Sequence, residues 1–389
     1  MTQRRFDDVT AGEPLAPVHK IFTWTYAVHG AVRPGCTMSK DLDIFEGLVQ
    51  RNDELDHLVG SFVLPQQAIP DLNAYDRIVL FHSGGKDSMA CMLYLLELGV
   101  EPHRIELHHH GVDGANPQHL MDYPVTHSYM QALGSAFGSP VYFSYKQGGF
   151  EGEMLRENCG TAPIVFTRGD GTVVTMGGER SKPNTRLKFP QVSANLSVRW
   201  CSSVLKIEVG QRMLINDPRF TEGQTLVITG ERAEESANRA RYAQFEAHRA
   251  DNRKGRVPRW IDHWRPVHQW TERQVWALMR KHRVNPHPAY WVGAGRASCL
   301  GCIFGSPRQW ATMRAIAPEQ FKRIADYEVQ FGMTIHRKRS VIEQADLAEP
   351  FPSALRWKHI AMSRTYEQPI FVDPWVLPDG AFGESCGPS

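Results

Sequence analysis

The feature that most constrains the fold is a loop of sequence SGGKDS, from Ser83 to Ser88, between two regular segments. The apolar run Arg77 to Phe81 before it is typical of a buried strand, and Asp87 to Leu98 has the pattern of a helix ending at Gly99. Paired glycines let backbone N–H groups converge, and a helix N-terminus favours an anion. The pattern predicts a phosphate-binding loop, in which Lys86 is an exposed residue that adds positive charge.

Two other interpretations of the loop differ in their chemistry. It is not a Walker A loop, because Leu80 stands where that motif has its first glycine, and the chain has no Gly-x-Gly-x-x-Gly fingerprint. The structural alternative is a glycine-rich turn in which Asp87 or Ser88 caps the helix.

The pattern around the loop predicts an α/β fold with an open, doubly wound, mainly parallel sheet. A second strand, Arg104 to His110, completes a βαβ unit. The alternation continues with helices at Thr126 to Phe137, Ser202 to Ile215 and Ala233 to Glu246, strands at Val141 to Tyr145 and Thr225 to Thr229, and a hairpin of Ile164 to Thr167 with Thr172 to Met176. Such sheets bind ligands beyond the carboxyl ends of their strands.

Three regions are expected along the chain: an N-terminal extension over residues 1–72, with a candidate helix at Lys40 to Leu58, a nucleotide-binding α/β domain over 73–260, and a C-terminal helical module over 261–389. No apolar run reaches the roughly 18 residues of a membrane span, and the first residues are polar. Seven cysteines are too few for a disulfide scaffold in a chain of 389 residues. We therefore expect a cytoplasmic enzyme with free thiols and no membrane partner.

Charge is distributed unevenly. Residues 180–259 hold 16 Lys or Arg against 8 Asp or Glu, whereas the whole chain carries only +2. This excess favours a polyanionic ligand, either phosphates or nucleic acid, and the alternative is a solvated face of mixed charge.

Candidate site residues outside the loop each have a structural alternative. Arg232 and Arg239 are seven apart, so on a helix they share a face and can grip an anion, or else pair with neighbouring glutamates. Asp113 follows the second strand and suits either a ribose contact or a turn. Cys299-x-x-Cys302 has the spacing for a metal, a redox dithiol or structural thiols. The run of three histidines at 108–110 alternates faces on a strand, which favours a structural role.

These motifs resemble known proteins. The loop is similar to the pyrophosphate loop (PP-loop) of the ATP pyrophosphatases, and the rest narrows the resemblance to the phosphoadenosine phosphosulfate reductase family over Asp76 to Trp310. The segments that carry it are Gly230-x-Arg232-x-x-x-Ser236-x-x-Arg239, Arg199-Trp200-Cys201 with Leu205-Lys206, and Trp264-x-Pro266 with Asn285-Pro286. The resemblance implies an adenine nucleotide alpha hydrolase-like fold.

The resemblance also implies site residues and cofactors. It implies ATP, or phosphoadenosine phosphosulfate (PAPS) or adenosine phosphosulfate (APS), with Mg²⁺, at Ser83, Gly84, Gly85, Lys86, Asp87, Ser88, Asp113, Arg199, Lys206, Gly230, Arg232, Ser236 and Arg239. It implies an iron–sulfur cluster, or alternatively zinc, on Cys201, Cys299 and Cys302. The catalytic candidates are Lys86, Asp87, Arg232 and Cys386.

Members of the family differ in their reaction. Its reductases attack the activated sulfate with a cysteine of a C-terminal Cys-Gly pair, which Cys386-Gly387 resembles, but the inserted Ser385 departs from their ending. DNA phosphorothioation relatives and iron–sulfur tRNA thiolation enzymes use ATP to activate a substrate and then deliver sulfur. The resemblance favours ATP-dependent sulfur transfer, with nucleic acid as a candidate substrate and a cysteine desulfurase or thioredoxin as a candidate partner. The alternatives are a sulfonucleotide reductase and a non-catalytic nucleotide-binding module.

Overall fold

The computed structural model describes residues 67–116, 118–297 and 299–383. The expected helix at Lys40 to Leu58, most of the N-terminal extension and the tail with Cys386 lie outside the described residues, so these expectations stay predictions.

A single sheet of eight strands organises the described part of the chain, with the order β5-β4-β3-β2-β1-β6-β8-β7. The strands are β1 (Arg77–Phe81), β2 (Ile105–Gly111), β3 (Val141–Lys146), β4 (Ile164–Thr167), β5 (Val173–Met176), β6 (Gln224–Ile228), β7 (Phe245–Ala247) and β8 (Trp260–Trp264). The five central strands are parallel, and β4, β5 and β7 are antiparallel at the edges. The predicted doubly wound, mainly parallel α/β fold is confirmed.

The strand order reverses at β1. This strand pairs in parallel with β2 on one side and with β6 on the other, so the chain builds outward to β3 and later returns to continue from β1. The loop that follows β1 therefore lies at the switch point where open α/β sheets bind ligands.

Helices cover both faces of the sheet and form the C-terminal part of the described chain. They are α1 (Lys86–Glu97), α2 (Thr126–Phe137), α3 (Gly149–Met154), α4 (Trp200–Ser202), α5 (Glu208–Asn216), α6 (Glu272–Lys281), α7 (Pro288–Trp291), α8 (Pro307–Ile316), α9 (Pro318–Phe331), α10 (Val341–Ala345) and α11 (Ala354–Ala361). A π turn, Ser203–Ile207, joins α4 to α5. None of the helices in the described ranges has the length and apolar character that crossing a membrane requires.

Two apolar cores hold the sheet between these layers. Ile78 and Leu80 of β1 belong to the larger core, which includes α1, α2 and the C-terminal helices, and Val79 belongs to the smaller core with α5. Because β1 is buried on both faces, its sequence is apolar without alternation, as expected for a central parallel strand.

The predicted helix at Ala233 to Glu246 is wrong. Two short 3-10 turns, Ala233–Glu235 and Arg239–Arg241, replace it, and the edge strand β7 follows. Ser236 between the turns is extended, with φ −171° and ψ 156°. A local side chain also provides a hydrogen-bond acceptor for a backbone donor, because the Ser236 hydroxyl accepts the Arg239 N–H at 3.3 Å. Hydrogen bonds of this kind, from the backbone to nearby side chains, compete with the backbone hydrogen bonds of an α-helix.

Candidate nucleotide and thiol site

The predicted phosphate loop joins β1 to α1, as the sequence indicates. Gly84 has φ +84°, a left-handed conformation that glycine adopts without strain, and Gly85 is the residue before the first helical residue. Gly230, after β6, packs on the same loop: a Cβ placed there would lie 2.8 Å from the carbonyl carbon of Asp87. The two glycine motifs of the sequence therefore meet at the start of α1.

Three successive N–H groups of the loop have acceptors within the protein. The Gly84 N–H donates to His82 Nδ1 at 3.0 Å, the Gly85 N–H to Ser83 Oγ at 3.3 Å and the Lys86 N–H to the Tyr290 hydroxyl at 2.9 Å. Burial lowers the pKa of His82 to about 3, so its ring is neutral and Nδ1 is free to accept. A phosphate that uses these donors must displace protein acceptors.

Lys86 is buried, with 2% of its surface exposed, so the expectation of an exposed loop lysine is wrong. Its Nζ donates to the Gly295 carbonyl at 3.2 Å and lies 3.3 Å from Glu272 Oε1 and 3.6 Å from Asp87 Oδ2. Burial alone lowers the pKa of Lys86, but the charges of Asp87 and Glu272 more than compensate and raise it. Lys86 is therefore a positive charge held by carboxylates beneath the loop.

The arginines of the second motif also contact carboxylates. Arg232 is buried, and its Nε donates to Asp87 Oδ1 at 2.6 Å while its other nitrogen contacts Glu234. Arg239 pairs with Glu235. The expectation that a helix aligns both guanidinium groups towards an anion is wrong, because no helix forms there. Arg232 instead ties its motif to the loop through Asp87.

Asp113 orders the segment after β2. Its Oδ2 accepts the backbone N–H groups of Leu120, Met121 and Asp122 at 3.0, 2.9 and 2.8 Å. This carboxylate is buried, and the contacts agree with the turn-forming alternative. Ser88 likewise has a local contact, since its hydroxyl donates to the Gly85 carbonyl at 2.9 Å.

Cys201, Cys299 and Cys302 interact electrostatically with one lysine. Lys206, in the π turn, interacts electrostatically with all three sulfurs, and Cys201 and Cys299 each interact with Cys302. Across the described ranges, however, no group of three or more His, Cys, Asp or Glu side chains is arranged to hold a metal ion. The three thiols thus share one charged neighbour, their expected approach to within a few ångströms stays a prediction, and the expected metal-ligand geometry is not found among the described residues.

The protonation of the thiols depends on two opposed effects. Burial raises the pKa of Cys201 and of Cys299, and the ammonium group of Lys206 acts in the opposite direction. Burial and the charge of Asp113 raise the pKa of Asp122 to about 6, and Asp122 interacts with Cys299 and Lys206. Sequence reasoning missed Asp122, because its setting before Tyr123 and Pro124 is that of an ordinary turn.

Two residues expected on the nucleotide belong to this thiol cluster. Lys206 interacts with all three sulfurs, and Arg199 lies over the Phe304 ring at 5.7 Å and interacts with Cys201 and Cys302. Burial lowers the pKa of the Arg199 guanidinium.

One segment connects the phosphate loop with the thiols. Tyr290 and Gly295 contact Lys86, and the Ala297 methyl lies 3.6 Å from where a Cβ on Gly85 would stand. Cys299 follows two residues later, so its Cα is within about 7 Å of that of Ala297. The thiols and the loop therefore share one end of the sheet.

Comparison with known proteins identifies sequences that are similar to parts of this chain. Residues 179–328 match the phosphoadenosine phosphosulfate reductase domain. The chain is 30% identical over 141 residues to an uncharacterized 37.8 kDa protein in the gpa 5′ region of Escherichia phage 186, covering 36% of this chain and 39% of that protein. It is 32% identical over 102 residues to the adenosine 5′-phosphosulfate reductase of Allochromatium vinosum, covering 26% of this chain and 34% of that enzyme.

Among solved structures, the FMN adenylyltransferase of Candida glabrata in complex with FMN and the ATP analog AMPCPP is similar at a TM-score of 0.33 and 12% identity, over 64% of this chain and 63% of that one. The chain spans well under half the length of both curated relatives. The resemblance to the phosphoadenosine phosphosulfate reductase family that the motifs indicate is confirmed over residues 179–328, the part of the chain that matches this family's domain.

Tyr290→Phe tests whether the loop N–H groups bind phosphate. The change removes the acceptor of the Lys86 N–H and leaves the ring in place, so the N–H is free for a ligand. We expect ATP to bind about three- to tenfold more tightly by isothermal titration calorimetry, since a neutral hydrogen bond contributes about 1 kcal/mol. Trp291→Phe, on the next residue, is the control. Weaker binding by Tyr290→Phe would contradict the expectation.

Proposed function

We propose that the protein is an ATP-dependent sulfur-transfer enzyme that cleaves ATP between the α and β phosphates and delivers sulfur to the adenylylated substrate. The observation that carries the proposal is the short segment from Tyr290 to Cys302, which contacts the phosphate loop at one end and brings two thiols to Cys201 at the other. The phosphate loop supplies groups for nucleotide activation, and the thiols supply groups for sulfur chemistry. These two sets of residues are adjacent.

In the first half-reaction, an oxygen of the acceptor attacks the α phosphorus and pyrophosphate leaves. The loop N–H groups, the α1 N-terminus and Lys86 would stabilise the charge that develops on the pyrophosphate. Asp87 is already paired with Lys86 and Arg232. Asp87 is therefore not available as a Mg²⁺ ligand. Mg²⁺ would instead arrive bound to the nucleotide, as part of the substrate.

In the second half-reaction, the thiols would carry the sulfur. A sulfur donor such as a cysteine desulfurase transfers one sulfur atom to Cys299, forming a persulfide. Its terminal sulfur attacks the activated carbon, and AMP leaves with the former acceptor oxygen. The Cys302 thiol then attacks the Cys299 sulfur, which releases the thiolated product and leaves a disulfide. A dithiol reductant such as thioredoxin supplies the two electrons that restore both thiols.

Lys206 and Asp122 would control protons in this step. Lys206 stabilises a thiolate in a buried setting that otherwise favours the thiol, and Asp122 is placed to accept the proton. This chemistry requires free thiols, which are maintained in a reducing compartment, and we propose the cytoplasm. Because the three sulfurs lack a metal-holding arrangement in the described residues, the proposed steps use the thiols themselves.

The test is pyrophosphate release from ATP and Mg²⁺ by the full chain, with bulk tRNA or DNA fragments as candidate acceptors. We expect release that depends on the acceptor and is followed by sulfur incorporation when a cysteine desulfurase and cysteine are supplied. Wild-type protein without ATP is the control. Sulfur incorporation that does not require ATP would contradict the proposal.

The similarity to an adenosine 5′-phosphosulfate reductase favours a second candidate, the reduction of a sulfonucleotide. In that reaction a cysteine thiolate attacks the sulfur of the sulfonucleotide, releasing the nucleotide, and a second thiol then releases sulfite. Sulfite release from APS or PAPS with thioredoxin, without any use of ATP, would identify this activity in place of sulfur transfer.

A further inference from the structure

A cavity of about 410 Å³ lies at the carboxyl end of β3, two strands from the β1 end that carries the phosphate loop. Its walls come from the end of β3, the β4–β5 hairpin, the loop after β5 and helix α5. The charged residues that line it are Lys146, Glu179, Arg180, Glu208 and Arg212. Its volume is in the range of small-molecule sites, about 300–1,000 Å³.

Lys146 is the notable member of this lining. It is the last residue of β3, paired across the sheet edge with Ile164, and only 1% of its surface is exposed. In the described part of the chain, the ammonium group has no hydrogen bond and no carboxylate within ion-pair distance. A buried charge without a partner is costly, and proteins normally pair it. The position therefore suggests that a ligand supplies the missing anion.

Two of the carboxylates near Lys146 already form ion pairs with arginines. Glu208 Oε1 accepts from Arg212 Nε at 2.8 Å, and Glu153 Oε1 lies 2.8 Å from Arg186 and 3.3 Å from Arg156. Burial lowers the pKa of Lys146, and the charges of Glu208 and Glu153 oppose this effect without cancelling it. Glu179 is the remaining carboxylate of the lining, and Arg180 is its neighbour on the exposed rim.

We propose that this cavity is a second anion site, which binds one phosphate or sulfate group of a second substrate between Lys146 and Arg180. A tetrahedral oxyanion supplies acceptors to both cations, and charge-assisted hydrogen bonds of this kind are the strong ones. Arg180 belongs to the basic stretch of residues 180–259, so the proposed site would use one cation of that stretch.

The cavity opens on the same edge of the sheet as the phosphate loop. β3, β2 and β1 are neighbouring parallel strands, and the register places Phe81 beside His108 and His108 beside Tyr142. Lys146 therefore lies about 10 Å to the side of the end of β1 and about 13 Å beyond it along the strands, roughly 16 Å away in all. A substrate anchored by an anionic group at Lys146 would have to span roughly 16 Å to reach the end of β1, where the phosphate loop begins. The anion site rests on the cavity and on Lys146 alone, and only its assignment to the sulfur acceptor rests on the proposed function.

The experiment is calorimetric titration of the full chain with inorganic phosphate, with and without saturating ATP and Mg²⁺. We compare wild type with Lys146→Met, which keeps the apolar stem and removes the charge. Lys188→Met, an exposed lysine outside the cavity, makes the same change in net charge. We expect Lys146→Met to raise the Kd for phosphate about tenfold or more, and Lys188→Met to leave it within about twofold.

Equal phosphate affinity in wild type and Lys146→Met, or no phosphate binding by wild type in the presence of ATP, would overturn the proposal. If ATP does not bind, the proposed function fails, but a loss of phosphate binding in Lys146→Met alone still establishes the anion site. Arg180→Gln, on the exposed rim, is the second variant, and a weakened phosphate affinity there supports the site even if Lys146→Met unfolds.

A short single-stranded oligonucleotide distinguishes two sources of the anion. If Lys146→Met weakens oligonucleotide binding by the same factor as phosphate binding, the group is a phosphodiester of nucleic acid. If only phosphate and sulfate ions are affected, the group belongs to a small phosphate or sulfate ester. Both results support the site.

Discussion

Replacing Lys86 with alanine is expected to remove nucleotide binding and to lower the free energy of unfolding by about 3–5 kcal/mol. The ammonium group is buried, and it compensates the charges of Asp87 and Glu272. Its loss removes the ammonium partner of Glu272 and leaves Asp87 paired with Arg232 alone of its two cations. The change also removes the positive charge beneath the loop at which the pyrophosphate would develop its charge.

Denaturant unfolding measures the loss of stability, and calorimetry with ATP and Mg²⁺ measures binding at a temperature where near-ultraviolet circular dichroism shows native packing. Lys188→Ala, on the surface, is the control for both measurements. Lys86→Ala together with Glu272→Gln should recover part of the stability and none of the ATP affinity, because the double variant removes an uncompensated charge but restores no cation. A Lys86→Ala protein that unfolds like wild type and binds ATP would contradict both expectations.

The burial of Lys86 shows which properties of the site depend on local sequence. The strand, the loop and α1 are adjacent in the chain, so their periodicity and glycines predict them together. The partners of Lys86 are Glu272, Tyr290 and Gly295, which are roughly 190 to 210 positions away. No local pattern contains these contacts, and so the sequence could not indicate that the lysine is covered.

The motif that contains Arg232 and Arg239 shows a different limit of prediction from the sequence. The spacing of Arg232 and Arg239 predicts a shared helical face only if a helix forms, and the extended backbone at Ser236 prevents it. The strands β7 and β8, absent from the sequence prediction, have short and partly polar sequences, such as Trp260–Trp264 with Asp262 and His263. Their stability comes from pairing with each other and with β6. The secondary structure of this region is therefore determined by strand pairing in the folded protein and not by local propensity.

The thiol cluster was predictable in part. The Cys-x-x-Cys spacing indicates that Cys299 and Cys302 are neighbours, and the family resemblance adds Cys201 from a distant segment. Lys206 was expected on the nucleotide, and Asp122 was not expected at all, yet both interact with Cys299. Electrostatic surroundings of this kind depend on how three segments pack, which composition and spacing do not specify.

Cys299→Ser is expected to lower the rate of persulfide formation by about a thousandfold or more, as the loss of a nucleophile does in enzymes that use one, while ATP affinity stays within about twofold. A serine hydroxyl has nearly the size of the thiol, so the packing between Lys206 and Cys302 is largely kept. A hydroxyl neither accepts a sulfur atom from a desulfurase nor forms a disulfide. The change therefore separates sulfur chemistry from nucleotide binding.

The measurement is incubation of the full chain with a cysteine desulfurase and cysteine, followed by digestion and mass spectrometry of the cysteine peptides. In wild type the added sulfur should be found on the peptide that contains Cys299, and in Cys299→Ser it should be absent. Cys159→Ser, an exposed free cysteine outside the cluster, is the control and should load sulfur like wild type. Equal loading of Cys299→Ser and wild type would show that this thiol only packs. Sulfur found on Cys201 in both proteins would move the carrier role to that residue, with Lys206 still the neighbouring positive charge.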